Sequence, residues 1–271
     1  MADWLIWIAV LFVSAVLIEL LRLSWILFKA MERDWTIAGC RPENPSSEVH
    51  VSVIVPAKDE EDNIERSVRS ILASEYGNFE LILVEDRSQD RTLEVMNALS
   101  REDPRVIVVP VKELPDGWTG KTHALYHGTR RASGEILLYT DADVWLNPSA
   151  LTCTLNHFAV NNLDMLSLLP GFVERGFRES AVYPHLALGF CYFFPLDKVN
   201  DATREEAMAS GCFIMIRRSV YEEIGTWKRL KNEITEDVAL GKVVKAAGHR
   251  LNVVRWYEWV RTKPFERVAD V

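Results

Sequence analysis

A chain of 271 residues, 48% of them hydrophobic, is long enough for one large α/β domain or two small ones around a sizeable core. Its 31 Lys and Arg against 39 Asp and Glu leave a net charge of −8, and a net anion gains nothing from counterion release, so general binding to DNA or RNA is disfavoured. The four cysteines (Cys40, Cys153, Cys191 and Cys212) form no CxxC pair, which argues against a cysteine-based metal site or a disulfide scaffold and predicts reduced, mostly buried thiols.

The first element is an apolar run. Trp4 to Phe28 spans 25 residues, interrupted by Glu19 and Arg22. As one helix it can cross a hydrocarbon core of roughly 30 Å. The two charges, at i and i+3, share a face on which they partly neutralise each other. No basic stretch precedes the run and no clear cleavage site follows, which argues against a secretory signal. Lys29 and Arg33 both lie on its C-terminal flank, so the positive-inside rule places the rest of the chain in the cytoplasm. The alternatives are an interfacial helix, or one that pairs with a partner membrane protein through Glu19 and Arg22. The reading is a single-pass anchor over 1–30, a linker over 31–48 containing Gly39, Pro42, Pro45, Ser46 and Ser47, and one domain over 49–271.

Strand and helix then alternate. His50–Pro56, Phe79–Val84, Arg105–Val109 and Glu135–Tyr139 read as strands, with helices over Asp62–Ser74, Leu93–Leu99 and from about Thr122 between them. Leu163–Leu169, Ala209–Ile216 and Leu251–Trp256 read as further strands that continue the same domain as a mixed sheet. Mostly apolar strands alternating with helices predict a Rossmann-like α/β fold, a largely parallel sheet covered on both faces. In such sheets ligands sit at the carboxyl ends of the strands. Several residues at those ends are acidic: Glu60 and its neighbours after the first strand, Asp86 after the second, Asp141 and Asp143 after the fourth. Asp237 follows at the start of a later helix.

Any one of these acids could be a helix cap. Together at one sheet edge they would repel unless something cationic lay among them. Asp141-x-Asp143 is the most specific pair: in an extended chain the two carboxylates point the same way and suit Mg²⁺ or Mn²⁺ with positions left for phosphate oxygens. An Asx turn is the structural alternative. Gly120-Lys121-Thr122 imitates the tail of a P-loop, but Pro115 stands where its first glycine belongs, so a Walker site is rejected. A lysine at a helix N-terminus can still meet a diphosphate. His123 and His127 are spaced to share a metal but lack a third ligand and the Glu of HExxH, so a structural pair is favoured.

The stretches VPAKDEEDNI, LILVEDRSQDRT, GWTGKTHALYHG, LLYTDADV, SGCFIMIRRSVYEEIG and ITEDVALGKVVKAAGHR, in this order across about Val51 to Leu251, resemble the family 2 glycosyltransferases, which have the GT-A fold. The resemblance is closest to membrane-bound members acting on lipids, such as ceramide glucosyltransferases and hopanoid-associated glycosyltransferases. It implies that 49–271 is a GT-A catalytic domain in which Pro56, Ala57, Glu60 and Asp86 contact a nucleoside, with Asp86 on the base. It further implies that Lys121 lies near the donor phosphates and that Asp141 and Asp143 hold a metal–diphosphate, Asp143 as the direct ligand. Asp237 becomes the general base of an inverting transfer. The donor it implies is a nucleotide-sugar, UDP-linked, and the acceptor a lipid or polyprenyl-phosphate at the membrane. The alternatives are a polysaccharide-directed transferase and a catalytically silent nucleotide-binding module that scaffolds a membrane complex.

One departure is visible. Relatives carry a (Q/R)xxRW motif downstream of TED. Here Asn252 stands at the Q/R position before Arg255-Trp256, only 18 residues past Asp237 and inside a strand pattern, which reads as coincidence. The aromatic, nearly uncharged segment Ala181–Pro195 is either a buried helix or an interfacial element that presents a lipid acceptor.

Overall fold

The computed structural model describes residues 3–32, 36–37, 49–172, 192–255 and 260–262. Helix α1 (Asp3–Glu32) is the apolar run. Its window Ile6–Trp25 has a mean hydropathy of 2.3 and is unburied, so it is long and apolar enough to cross a membrane. Glu19 and Arg22 pair along it at 3.2 Å, as their spacing predicts. Most of the expected linker lies outside the described residues, as does the aromatic segment up to Cys191.

From Val51 the chain follows the order β1 (Val51–Ala57), α2 (Ile64–Leu72), β2 (Phe79–Asp86), α3 (Thr92–Glu102), β3 (Val106–Val111), α4 (Gly120–Arg131), β4 (Ile136–Tyr139). Next come β5 (Val144–Leu146), α5 (Ala150–Val160), β6 (Met165–Leu169) and β7 (Gly171–Phe172). The remaining elements are α6 (Leu196–Val199), β8 (Ile214–Arg217), α7 (Arg218–Glu223), α8 (Thr226–Arg229), α9 (Glu236–Ala246), β9 (Leu251–Arg255) and β10 (Val260–Thr262). Seven strands form one sheet in the order β3-β2-β1-β4-β8-β6-β9; β8 runs against its neighbours β4 and β6, and the other pairs are parallel.

The period of two in each strand feeds two cores. In β1, Val51, Val53 and Val55 face one core and Ile54 the other; in β2, Leu81 and Leu83 oppose Ile82 and Val84. With both faces covered, these strands read as unbroken apolar runs. Ile64, Val68 and Ile71 of α2 and Met96 and Leu99 of α3 seal the first face; Leu125 of α4, Trp227 of α8 and Leu240 and Val244 of α9 seal the second. Each fully buried Ile or Leu stabilises the layer by about 1.5–3 kcal/mol.

Topology gathers strand ends at one edge. β2, β1 and β4 are neighbours running in one direction, so Asp86, Ala57 and Tyr139 finish together. β8 runs the other way and starts with Ile214 opposite Tyr139, which brings Gly211 and Cys212 to the same edge. The Thr140 hydroxyl donates to the Cys212 carbonyl at 2.8 Å, fixing that junction.

Three features depart from expectation. The apolar pattern does not announce α5 or the second sheet, of order β5-β10-β7. Cys153 is disulfide-bonded, not reduced, with its partner outside the described residues; chain spacing cannot reveal which thiols a fold brings within reach. Cys212 is free, as expected. Arg255 does close a strand, and His157 bonds Asn252 at 2.9 Å, consistent with a structural reading of that stretch.

Candidate active site

Seven of the eight expected site residues line one cleft of about 590 Å³ at this edge: Pro56, Ala57, Glu60, Asp86, Lys121, Asp141 and Asp143. They come from the ends of β1, β2 and β4 and the first turn of α4. The eighth, Asp237, lies just behind. Its Oδ2 accepts from the Gly211 amide at 3.0 Å and its Oδ1 from the Val238 amide at 2.8 Å.

The many acids of this edge divide into two groups. Asp59, Glu61, Glu85 and Asp90 are consumed in lacing the loops after β1 and β2. The Gln89 amide donates to Asp59 Oδ1 at 2.7 Å and the Arg91 amide to Glu61 Oε2 at 2.9 Å. Ser88 N–H donates to Glu85 Oε1 at 2.5 Å, and Asp90 accepts from Glu61 N–H at 3.0 Å and Thr92 N–H at 2.9 Å. Asp59 and Arg87 adopt left-handed backbone angles, φ 55° and 56°, so both loops store strain where they border the cleft. Glu60 is held by its neighbours too: its amide donates to Thr92 Oγ1 at 2.8 Å and its Oε2 accepts from Asn63 Nδ2 at 2.8 Å.

The second group faces the cleft. Asp86 is buried and gripped by the next residue, Arg87 donating from Nε at 2.8 Å and Nη2 at 3.1 Å. Asp141 and Asp143 are not in extended chain, as the spacing suggests, but in the turn between β4 and β5. They have different partners. Asp141 Oδ1 lies 2.7 Å from the Lys121 ammonium, which also meets buried Glu236 at 2.8 Å. Burial opposes a charged lysine, but the charges of Asp141 and Glu236 prevail and hold the Lys121 pKa above its ordinary value. Asp143 Oδ2 accepts from the Thr262 hydroxyl of β10 at 2.9 Å. Burial, joined by the Asp141 charge, pushes the Asp143 pKa up despite that hydrogen bond.

Two carboxylates and a lysine from separate elements suit a bound diphosphate with a hard cation. Among the described residues no set of three His, Cys, Asp or Glu could hold a metal alone. Asp141 and Asp143 offer oxygen ligands only, which fits Mg²⁺ or Mn²⁺, since these ions keep water and phosphate oxygens in their shell. The helix α4 begins here with Thr119 as its cap, accepting from Thr122 N–H, so its positive end faces the cleft. His123 and His127 form a pair, Nε2 to Nε2 at 3.2 Å, against Trp118. Burial lowers the pKa of both, consistent with the structural reading.

Sequence reasoning missed Thr262, Glu236 and Gly211. Thr262 lies 119 residues from Asp143, on a three-residue strand without a local signal. Glu236 and Gly211 sit inside motifs quoted for the resemblance, but nothing in those strings reveals their partners.

Comparison with known proteins bears on the fold and the family. Two of the curated relatives are 4,4'-diaponeurosporenoate glycosyltransferases of Staphylococcus aureus, from strain USA300, 26% identical over 80% of this chain, and from strain bovine RF122, 27% identical over 78%. The chain spans about half the length of these relatives, 56% and 55%. Among solved structures it resembles S. aureus TarS, with a TM-score of 0.58, 22% identity and coverage of 79% of this chain and 36% of that one. It also resembles the mannosyltransferase PcManGT from Pyrobaculum calidifontis, solved with GDP-Man and Mn²⁺, with a TM-score of 0.54, 22% identity and coverage of 84% and 62%. These likenesses carry the GT-A fold. The model of "Glycosyl transferase family 2" matches residues 52–225, which run from β1 past the cleft to the end of α7, and the chain therefore belongs to the family 2 glycosyltransferases.

Proposed function

We propose that this glycosyltransferase is a membrane-anchored, inverting enzyme that moves a sugar from a UDP-linked donor to a lipid or polyprenyl-phosphate acceptor, assisted by Mg²⁺ or Mn²⁺. One observation carries the reading: seven acid, lysine and backbone positions from four chain segments line a single cleft, with Asp237 beside it. Pro56, Ala57 and Glu60 contact the nucleoside and Asp86 its base. Lys121, at the positive end of α4, faces the diphosphate. Asp141 and Asp143 hold the metal, which when bound offsets charge on the leaving nucleoside diphosphate. Asp237 takes the proton from an acceptor hydroxyl; that oxygen bonds to the anomeric carbon from the face opposite the leaving group, as the bond to the phosphate oxygen breaks.

The membrane part of the reading rests on α1 and on one contact. Arg22 donates to the Tyr192 hydroxyl at 2.6 Å and its guanidinium lies 5.4 Å from that ring's centre. Phe193, beside it, is 73% exposed, an apolar residue suited to the bilayer interface. The division into an anchor (1–30), a linker (31–48) and a cytoplasmic GT-A domain (49–271) belongs to the same proposal, with α1 running to Glu32. A lipid acceptor agrees with the relatives, whose name cites diaponeurosporenoate, a lipid-like compound.

Calorimetric titration of UDP and GDP, with Mn²⁺, Mg²⁺ or EDTA, tests the donor half. The expected result is metal-dependent binding of UDP that disappears in Asp143→Ala. Folded protein that binds neither nucleotide would overturn the reading and leave a silent scaffold.

A further inference from the structure

The acidic residue just before the expected base has a task of its own. Glu236 is 6% exposed, and a carboxylate that deep is tolerated only with a partner. Its partner is Lys121 Nζ at 2.8 Å, and the same ammonium reaches Asp141 at 2.7 Å. Three segments distant in sequence thus meet at one cation: the first turn of α4, the turn after β4 and the first turn of α9. Gly211 lies under this junction. A Cβ there would come within 2.9 Å of Lys121 Nζ and 3.1 Å of Asp141 Oδ2, so the pair closes over a residue without a side chain. The amide of that same Gly211 donates to Asp237 Oδ2 at 3.0 Å.

We propose that Glu236 is a positioning residue of the donor site, holding Lys121 from behind so that a fixed cation faces the cleft, and that Gly211 couples this clamp to Asp237. The proposal rests on the donor reading above and deepens it. A lysine with Asp141 as its only anion would collapse onto that carboxylate and occupy an oxygen wanted at the metal–diphosphate. With Glu236 behind it, Lys121 keeps a partner when Asp141 turns to the donor. A cation set in place before binding needs no reorganisation when phosphate arrives. Consecutive residues of one helical turn thereby serve the two halves of the reaction, Glu236 the donor and Asp237 the acceptor.

A double-mutant cycle on the protein in detergent, with UDP and Mn²⁺ in the calorimeter and donor kinetics beside it, tests this. Glu236→Gln is expected to weaken UDP binding and raise donor KM about tenfold, roughly the effect of one charge-assisted hydrogen bond, while kcat changes less. Lys121→Met should do at least as much, and adding Glu236→Gln to it should cost no further affinity. Lys121→Met should also lower Tm, because Glu236 is left buried and unpaired, and the double variant should regain it. Gly211→Ala, whose new methyl meets the movable end of Lys121, should fold, weaken UDP binding and lower kcat together. If Glu236→Gln shifts Tm alone with KM unchanged, or if the two losses multiply in the double variant, Glu236 is merely structural and the proposal falls. Wild-type protein that binds no UDP would overturn the donor reading itself, a result distinct from either.

Discussion

Asp90 and Asp143 are both aspartates that follow a strand at the same sheet edge, and their surroundings drive them in opposite directions. Asp90 receives hydrogen bonds from Thr92 and from the Glu61 amide; these outweigh its burial and keep its pKa below the ordinary value. Asp143 receives one from Thr262, and burial beside Asp141 pushes its pKa up. The difference separates an acid that completes a loop from one that is buried beside a like charge. Depth of burial and the neighbouring charge, set against the hydrogen bonds received, decide it, and the residue type says nothing.

Asp237 is the residue that can break this comparison. Both of its oxygens accept backbone N–H groups, as Asp90's do, so by donor count it looks like a helix cap. Asp237→Asn keeps the shape and removes the base. If the reading is correct, transfer falls by about 10²–10⁴, the usual share of general-base catalysis, while UDP binding persists. Turnover within a fewfold of wild type in a radiolabelled-donor assay would return Asp237 to the capping class.

Asp143→Asn sharpens the contrast through stability. A raised pKa means that the charged form is disfavoured in the fold, so ionised Asp143 lowers stability at neutral pH. That cost is absent below the ordinary carboxylate value near 4 and grows as pH rises through the raised one. The amide variant should therefore have a higher Tm at pH 7 than wild type, a gain that fades as pH falls below about 4, while metal-dependent UDP binding is lost. An unchanged or lower Tm at pH 7 in differential scanning calorimetry would mean that the Thr262 hydrogen bond governs this site.

These contrasts also mark where the sequence is readable. β1, β2 and β4 are buried on both faces, so their composition alone announces them, and the rule that ligands gather at carboxyl ends points to Asp86, Asp141 and Asp143. What stayed hidden is non-local. β7 has two residues and β5 three, too few for a period, and β10, which pairs with both, lies far from either along the chain. Thr262 could be found only with that sheet in hand. Likewise Glu236 and Lys121 each look like a solvated charge in the sequence, and only the packing of α9 against the sheet joins them. Asp141 and Asp143 sit in a turn and not in extended chain, because the period-two geometry of β4 ends at Tyr139.

The smallest expected effect belongs to Asp90, and it is informative because it should be confined to folding. Replacing it with Ala frees the amides of Glu61 and Thr92 at the start of α3, a loss on the order of 1 kcal/mol, or roughly 2–4 °C in Tm. Its pKa is lowered, so this stabilisation is complete above the ordinary carboxylate value and is lost as pH falls through the lowered one. Wild type and Asp90→Ala should therefore converge in Tm under acid, the reverse of Asp143→Asn, whose advantage exists only at higher pH. Donor KM and kcat should stay within about twofold, since Asp90 supports a loop bordering the cleft and does not line it. A tenfold change in KM without a matching change in Tm would show that the lacing between the two loops sets the shape of the nucleoside site, and Asp90 would then belong with Asp86 rather than against Asp143.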